Sequence, residues 1–395
     1  MNGLTTIPEV FRSEPPERRI AWIFLALLAV AGMLSTAIVQ TSSIAIIILF
    51  GSAVIRGRSS FSASNTLIDL ALFFLVIARI ISVLFSIDQD ASVLTFRVEI
   101  PFYLLLFAAL WLFRGMDDAS LRFIIRLLVV GALLASLIGI VIYATGIHHR
   151  ARSITSGYYT LGMYLTAIFG LLIGLGPHKD YFRSPVLWYG SLLVLAVGIL
   201  FTFNRVHWVI LGVLIVIMGI YRDRKLLAGF AIVVALAFLF SEPLQERILT
   251  LLAPSSSMSD RDVLWREGMK LIGDRPLTGF GTRTFEAIFP EVPEAIDPGV
   301  GSWHNDMLQI YLESGFVALI GYFFMMVIPL WLVLQRIIQK GRDVDPQLIG
   351  VGLLVFAVFL GGLAGIFFSD PIIAPLTYIS IALVVVLRER SLETE

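Results

Sequence analysis

The sequence predicts an all-α polytopic membrane protein, and three observations carry that reading. Hydrophobic residues make up 58% of the 395-residue chain and charged residues 15%, with a mean hydropathy of +0.89, far outside the range of soluble domains. Apolar runs of about 17 to 25 residues, the length of helix that crosses a bilayer core, recur along the whole chain. The runs are continuous rather than alternating, so they read as helices and not as strands of a closed barrel, the other backbone arrangement that lipid tolerates.

About twelve spans are expected on this criterion. They lie near residues 20–39, 42–56, 67–87, 98–113, 121–144, 157–176, 185–203, 206–221, 225–240, 306–335, 346–368 and 371–387, the second and eighth being short. The first apolar stretch has no small-residue cleavage site and is expected to stay as a helix rather than be removed as a signal peptide. Residues 1–240 are thus expected to hold the first nine helices, 241–305 one large periplasmic loop with an amphipathic helix, and 306–395 the last three helices and a cytoplasmic tail.

Basic residues set the orientation. About 18 Lys and Arg fall at the N-terminus, the even-numbered loops and the C-terminus, against about 4 in the short odd-numbered loops, which puts the first group inside. Both termini are then cytoplasmic and the long loop external. The absence of cysteine excludes disulfides and thiolate chemistry and suits an oxidising exterior such as a periplasm. A net charge of zero and the lack of basic stretches interleaved with aromatics argue against nucleic acid. Nor is there a phosphate-binding Gly-x-x-x-x-Gly-Lys-Ser/Thr loop, so reaction energy must come with the substrate or a gradient.

Arg97, Arg150, Arg152 and Arg205 stand on the side where the bias disfavours cations, and the long loop adds Arg247, Arg261, Arg266, Arg275 and Arg283. Arg forks onto phosphate oxygens and suits a phosphate held at a membrane surface; the alternative is anchoring to headgroups or pairing with Asp88, Asp90 or acids of the loop. Arg79 falls in the middle of the third span, where a charge needs a partner. It either reaches toward a site or pairs with a buried carboxylate such as Asp69 or Glu99.

Within the loop, Ser259-Asp260-Arg261-Asp262 reads as a capping box opening a helix to about Gly273, with an apolar stripe of Leu264, Trp265, Gly268, Leu271 and Ile272. Asp260-x-Asp262 also matches a divalent-cation pattern of sugar-transfer enzymes, but carboxylates at a helix start have a structural reason to be there. Pro276 is expected to end the helix, and Gly279 and Gly281 to form a tight loop close to a ligand. His304 joins the loop to the tenth span, with Ser302 able to cap it. A neutral imidazole at the bilayer surface could take a proton from a sugar hydroxyl, or simply sit at the helix start.

These residues carry a resemblance. Arg261-x-x-x-Trp265, Asp274-x-Pro276-Leu277-x-Gly279-x-Gly281-x-x-x-Phe285 and His304-Asn305-x-x-Leu308-Gln309-x-x-x-Glu313-x-Gly315 resemble the signature region of the O-antigen ligase and O-antigen polymerase family. Asn204-Arg205 is similar to that family's Ser-Arg element, with Asn for Ser. The likeness covers roughly residues 190 to 370, and upstream the chain matches in hydropathy alone.

The resemblance implies a metal-independent, C-type-like membrane glycosyltransferase without cofactor, facing the periplasm from the bacterial inner membrane. It would take a glycan from undecaprenyl diphosphate and give it to a hydroxyl of lipid A-core. Carried over by position, Arg205 and Arg261 would bind the diphosphate and His304 would act as base or position the acceptor. Arg79, Arg150, Arg152, Arg266, Arg283, Trp303 and Asn305 stand as candidate substrate-binding residues around them. With no covalent nucleophile in evidence in the motifs, direct displacement with inversion is expected. A polymerase of the same superfamily is the alternative within the class, and a lipid-linked substrate transporter the alternative outside it, although no inverted internal symmetry is visible. A protein O-oligosaccharyltransferase is disfavoured, because such enzymes often carry a further soluble region after the last span.

Overall fold

A computed structural model describes residues 14–60, 65–240, 242, 245, 249, 261–289 and 300–393. Among these the secondary structure is helical, with no strand. The helices are α1 (Pro16–Ala31), α2 (Thr36–Ile55), α3 (Thr66–Leu84), α4 (Gln89–Arg114), α5 (Asp118–Ala144), α6 (Tyr158–Leu175), α7 (Pro185–Phe201), α8 (Arg205–Tyr221), α9 (Lys225–Phe240), α10 (Arg261–Lys270), α11 (Phe285–Ile288), α12 (Asp306–Lys340), α13 (Pro346–Gly362) and α14 (Ile373–Glu393). Among the described residues six helices or helical stretches, namely α2 to α6 and the one running from Asp306 to Asp343, are long and apolar enough to cross a membrane, and α7, α8 and α13 are shorter apolar helices. The chain is a multi-pass membrane protein of the all-α class.

Short polar side chains start the helices. Ser35, Asn65, Asp88, Asp117, Ser184, Asn204, Asn305 and Asp345 each accept a backbone N–H from the first turn of α2, α3, α4, α5, α7, α8, α12 and α13, satisfying donors that lipid would leave bare. Two expected boundaries move for this reason. The first turn lies at Gly32–Ser35 instead of near residue 40, because Ser35 caps α2, and Ser42 and Ser43 are buried inside it, the Ser43 hydroxyl bonded to Val39 O. Asn305, not Ser302, caps α12.

Small residues let the helices approach. A Cβ on Gly174 would lie 2.4 Å from Gly350 Cα, and one on Gly350 2.6 Å from Leu171 O, so α6 and α13 meet almost backbone to backbone. Gly131 of α5 likewise abuts Val30 O of α1, and Gly321 of α12 abuts Ala71 O of α3. The helix α6 is the centre of the bundle, with 83% of its apolar window buried. Outward faces carry Ile48, Leu67, Val186 and Ile220, all exposed, as lipid contact demands.

The connections sort to two ends. At one end Glu17 holds Arg56 and Arg58, Arg114 pairs with Glu389, and Arg390 with Asp118. At the other, Ala151 N donates to Phe201 O (2.7 Å), Ile87 N to Phe280 O (2.9 Å) and Tyr159 Oη to Ala364 O (2.8 Å). The second end carries the motif residues.

Helix α12 is not continuous. Gly315 has φ 77° and ψ −175°, which breaks it into a short piece from Asp306 and a long piece reaching Lys340. A broken helix inside a bilayer is tolerated only where other groups take up the freed carbonyls, and the loop after α10 does so.

Candidate functional site

The loop following α10 is docked on the break. Phe280 N and Gly281 N donate to Leu312 O (2.8 Å) and Glu313 O (3.0 Å), and Phe316 N donates back to Pro276 O (2.8 Å). Gly279 (φ 66°) and Gly281 (φ 115°) are left-handed as expected, but their close neighbour is protein. A Cβ on Gly279 would lie 2.3 Å from Glu313 backbone atoms, and one on Gly281 1.9 Å from Ser86 Oγ. The expected ligand loop is therefore a plug between the α3–α4 turn and the broken α12. It is locked by reciprocal hydrogen bonds between Ser92 and Thr282. The expected helix before it ends at Lys270 rather than Gly273. Ser259, Asp260, Arg247, Glu291 and Glu294 lie outside the described residues.

Beneath the plug is a buried ionic network. Arg79 is fully buried; it pairs with Glu99 and, at 2.6 Å, with Glu313, and also donates to Ser314 Oγ at 3.1 Å. Glu313 further accepts from Gln309 Nε2 (2.6 Å) and Arg283 N (2.9 Å), Gln309 accepts from Trp303 N (3.0 Å), and Tyr103 Oη donates to Glu99 (3.0 Å). Of the readings open for Arg79, pairing with Glu99 is the one found. Its guanidinium bonds within the protein, to Glu99, Glu313 and Ser314. Trp303 is fully buried with Leu264, Phe285 and Leu312 in a small core beneath α10, where its indole supplies a large apolar surface to seal the loop–helix junction.

The recess lies where α6, α8, α10, the start of α12 and the α13–α14 connection meet. His304 is half-buried in a left-handed conformation (φ 49°) immediately before its cap Asn305, a conformation that costs a non-glycine residue about 1–3 kcal/mol and is tolerated where surroundings impose it. Its ring stands 6.3 Å from that of Tyr159, which stacks on Phe367 at 5.1 Å and lies 5.4 Å from His207. The Arg261 charge, at the first residue of α10, acts on Tyr159, His207 and His304, and Arg261 Nε is buried without a hydrogen-bond partner. Burial first, and Arg261 second, push the His304 imidazole below its ordinary 6.5. It is therefore held neutral, able to accept a proton.

Fixed contacts frame the recess. Buried Asp306 accepts from Phe367 N (2.8 Å) and Tyr322 Oη (2.8 Å), and Asn305 Nδ2 donates to Leu363 O (2.9 Å), pinning the α13–α14 connection over the start of α12. The Asn305 amide is committed to that contact and to its cap. Arg205 is the half-buried first residue of α8, whose N-terminal dipole favours an anion.

Residues 190–323 match the O-antigen ligase family model. No curated protein matches the chain. The O-antigen ligase match spans Arg205, Arg261, His304, the plug and the Gly315 break, while Tyr159 and Phe367 lie outside it. Over that segment the chain is similar to the O-antigen ligase family.

The remaining candidates are dispersed. Arg150 stacks on Tyr158 at 4.3 Å, on the rim formed by the α5–α6 connection, and Arg152 is half-buried in the same connection. Arg266 is exposed beside Glu267 (3.6 Å), and the Arg283 side chain is exposed while its N–H holds Glu313. Sequence reasoning missed Tyr159, Asp306 and Glu313 as structural partners. Glu313 stood inside the signature and carried a signal, since a carboxylate just within an apolar run asks for a cation.

Proposed function

We propose that the protein is an O-antigen ligase. It transfers a glycan from undecaprenyl diphosphate to a sugar hydroxyl of lipid A-core at the periplasmic face of the bacterial inner membrane. On this reading α1 to α9 and α12 to α14 are twelve spans, residues 241–305 form the periplasmic loop, and both termini are cytoplasmic. The observation that carries the proposal is a half-buried His304 imidazole on which the Arg261 charge acts, its ring 6.3 Å from that of Tyr159, which in turn lies 5.4 Å from His207 in the first turn of α8.

The chemistry follows from charge. As the anomeric C–O bond to the diphosphate breaks, negative charge grows on the leaving phosphate, and fixed guanidinium groups in a site of low dielectric stabilise it without a metal. His304 takes the proton of the acceptor hydroxyl while its oxygen forms the new bond on the opposite face of the sugar, giving inversion. One proton moves to His304, and the electron pair of the broken bond leaves with undecaprenyl diphosphate.

Deletion of the gene tests the reading. A ligase defect leaves long glycans on the lipid carrier and lipopolysaccharide without them. Single repeat units on the carrier would instead favour the polymerase, and an unchanged lipopolysaccharide and carrier pool would sink both.

A further inference from the structure

His207 lies in the first turn of α8, two residues after Arg205, and is fully buried. Neither ring nitrogen has a hydrogen-bond partner among the described residues. Buried polar atoms without partners carry their full desolvation cost, and in folded proteins they mark sites completed by something else. What surrounds the ring defines that something. Tyr159 (5.4 Å between ring centroids) and Phe367 (6.3 Å) flank it, and Arg261 acts on it with its own Nε buried and unpartnered. A hydroxyl could satisfy one donor but leave the guanidinium charge unmatched. A phosphate, with several acceptor oxygens and a negative charge, answers both at once, and the α8 N-terminus adds its dipole.

The two nitrogens are not equivalent. A Cβ on Gly162 of α6 would lie 2.2 Å from His207 Nδ1, so Nδ1 faces the backbone of α6 with no room for a ligand. This leaves Nε2. We propose that His207 binds the donor, its Nε2–H donating a hydrogen bond to a phosphate oxygen of the lipid-linked diphosphate beside Arg261. The inference rests on the function proposed above and adds a second histidine to it, one for the leaving diphosphate where His304 serves the acceptor. The long Arg261 side chain swings to bracket the anion, and the aromatic walls of Tyr159 and Phe367 keep the contact dry.

The test uses the full-length protein in lipid nanodiscs, with undecaprenyl diphosphate as the binding probe and its glycan conjugate as the donor. His207→Leu replaces an unpaired imidazole by an apolar group of similar bulk. The ligand-free protein should therefore melt at the same temperature or higher, while the donor KM rises by about 10-fold to 100-fold, the worth of one hydrogen bond to a charged group, and kcat changes less. His207→Gln, whose amide nitrogen reaches the place of Nε2, should recover most of the affinity; His207→Asn, reaching only the place of Nδ1, should not. A lowered melting temperature with unchanged KM in His207→Leu, or equal recovery by Gln and Asn, overturns the proposal. If the Leu variant fails to insert, the Gln and Asn pair decides in the same way. Wild-type protein that binds no undecaprenyl diphosphate overturns the functional reading and this inference together; wild type and His207→Leu binding it equally overturns the inference alone.

Discussion

Arg79 and Glu313, 234 positions apart in the chain, are joined by a 2.6 Å ion pair at the break in α12. The pair fastens α3 to the point where α12 stops being a helix, and Glu313 carries the contact on to Arg283 N and Gln309. Gln309, Glu313 and Gly315 are thereby tied to one structural purpose: they hold the plug and the Trp303 backbone next to His304.

Removing one partner of a buried pair strands the other charge. Glu313→Ala and Arg79→Ala should each cost about 3–5 kcal/mol, read as a large drop in thermal stability in detergent or as loss of inserted protein. The Glu313→Ala and Arg79→Ala double substitution should cost less than the sum. Additive losses in that cycle would mean that the two side chains do not interact.

Gly279 should not accept a side chain. A Cβ there meets the Glu313 backbone at 2.3 Å in a left-handed conformation, so Gly279→Ala should undock the plug and expose residues 271–285 to limited proteolysis. Gly281→Ala meets side chains instead of backbone, Ser86 Oγ at 1.9 Å and Ser92 Oγ at 2.8 Å, and Ser86→Ala should partly relieve it. Undiminished protection in Gly279→Ala would contradict the docking geometry.

Orientation can be read by labelling. In this cysteine-free chain, Lys270→Cys and Arg342→Cys both lie at exposed positions. An impermeant thiol reagent should label only the first in intact spheroplasts. Labelling of the second instead would invert the protein and remove the periplasmic site.

The diphosphate clamp predicts a split between charge and geometry. Arg205→Ala and Arg261→Ala should nearly abolish transfer while the protein still inserts, and Lys should rescue only in part, because a point charge lacks the bidentate fork. Activity should survive chelators. Loss of turnover in EDTA, restored by magnesium or manganese, would overturn the clamp.

His304→Ala should lower the rate by about 10²-fold to 10⁴-fold, the contribution of a positioned base, with donor binding retained. On the proposed mechanism the neutral imidazole is the active form, and burial and Arg261 depress its pKa. Activity should therefore hold as pH falls past the ordinary imidazole value of 6.5 and decline only below it. That acid limb should vanish in His304→Gln. Near wild-type transfer by His304→Ala would leave the residue as a helix-start element alone.

Much of the fold was legible because lipid enforces it. A span must be long, apolar and helical, so the segments stood out. The turn at Gly32–Ser35 was misread because polar Gln40 to Ser43 looked like a connection, whereas inside a bundle hydroxyls can be buried on the backbone of their own helix, as Ser43 is on Val39 O. In the site, the residue types at Arg205, Arg261 and His304 and their nearness to span ends were visible, since charge is rare and conspicuous in such a chain. The partners of Arg79 were half visible, with Glu99 named and Glu313 not.

The sequence by itself determined the class, the segments that form helices and the signature that the family match repeats, all of which depend on local composition and short spacing. Only the tertiary structure decided that the glycine loop docks on a broken helix, that Trp303 is core, and that His207 is buried between Tyr159 and Phe367. Those facts depend on which surfaces meet across the bundle. A glycine that admits a ligand and one that admits a neighbouring backbone carry the same letter, and the packing of α3, α6, α8 and α12 distinguishes them.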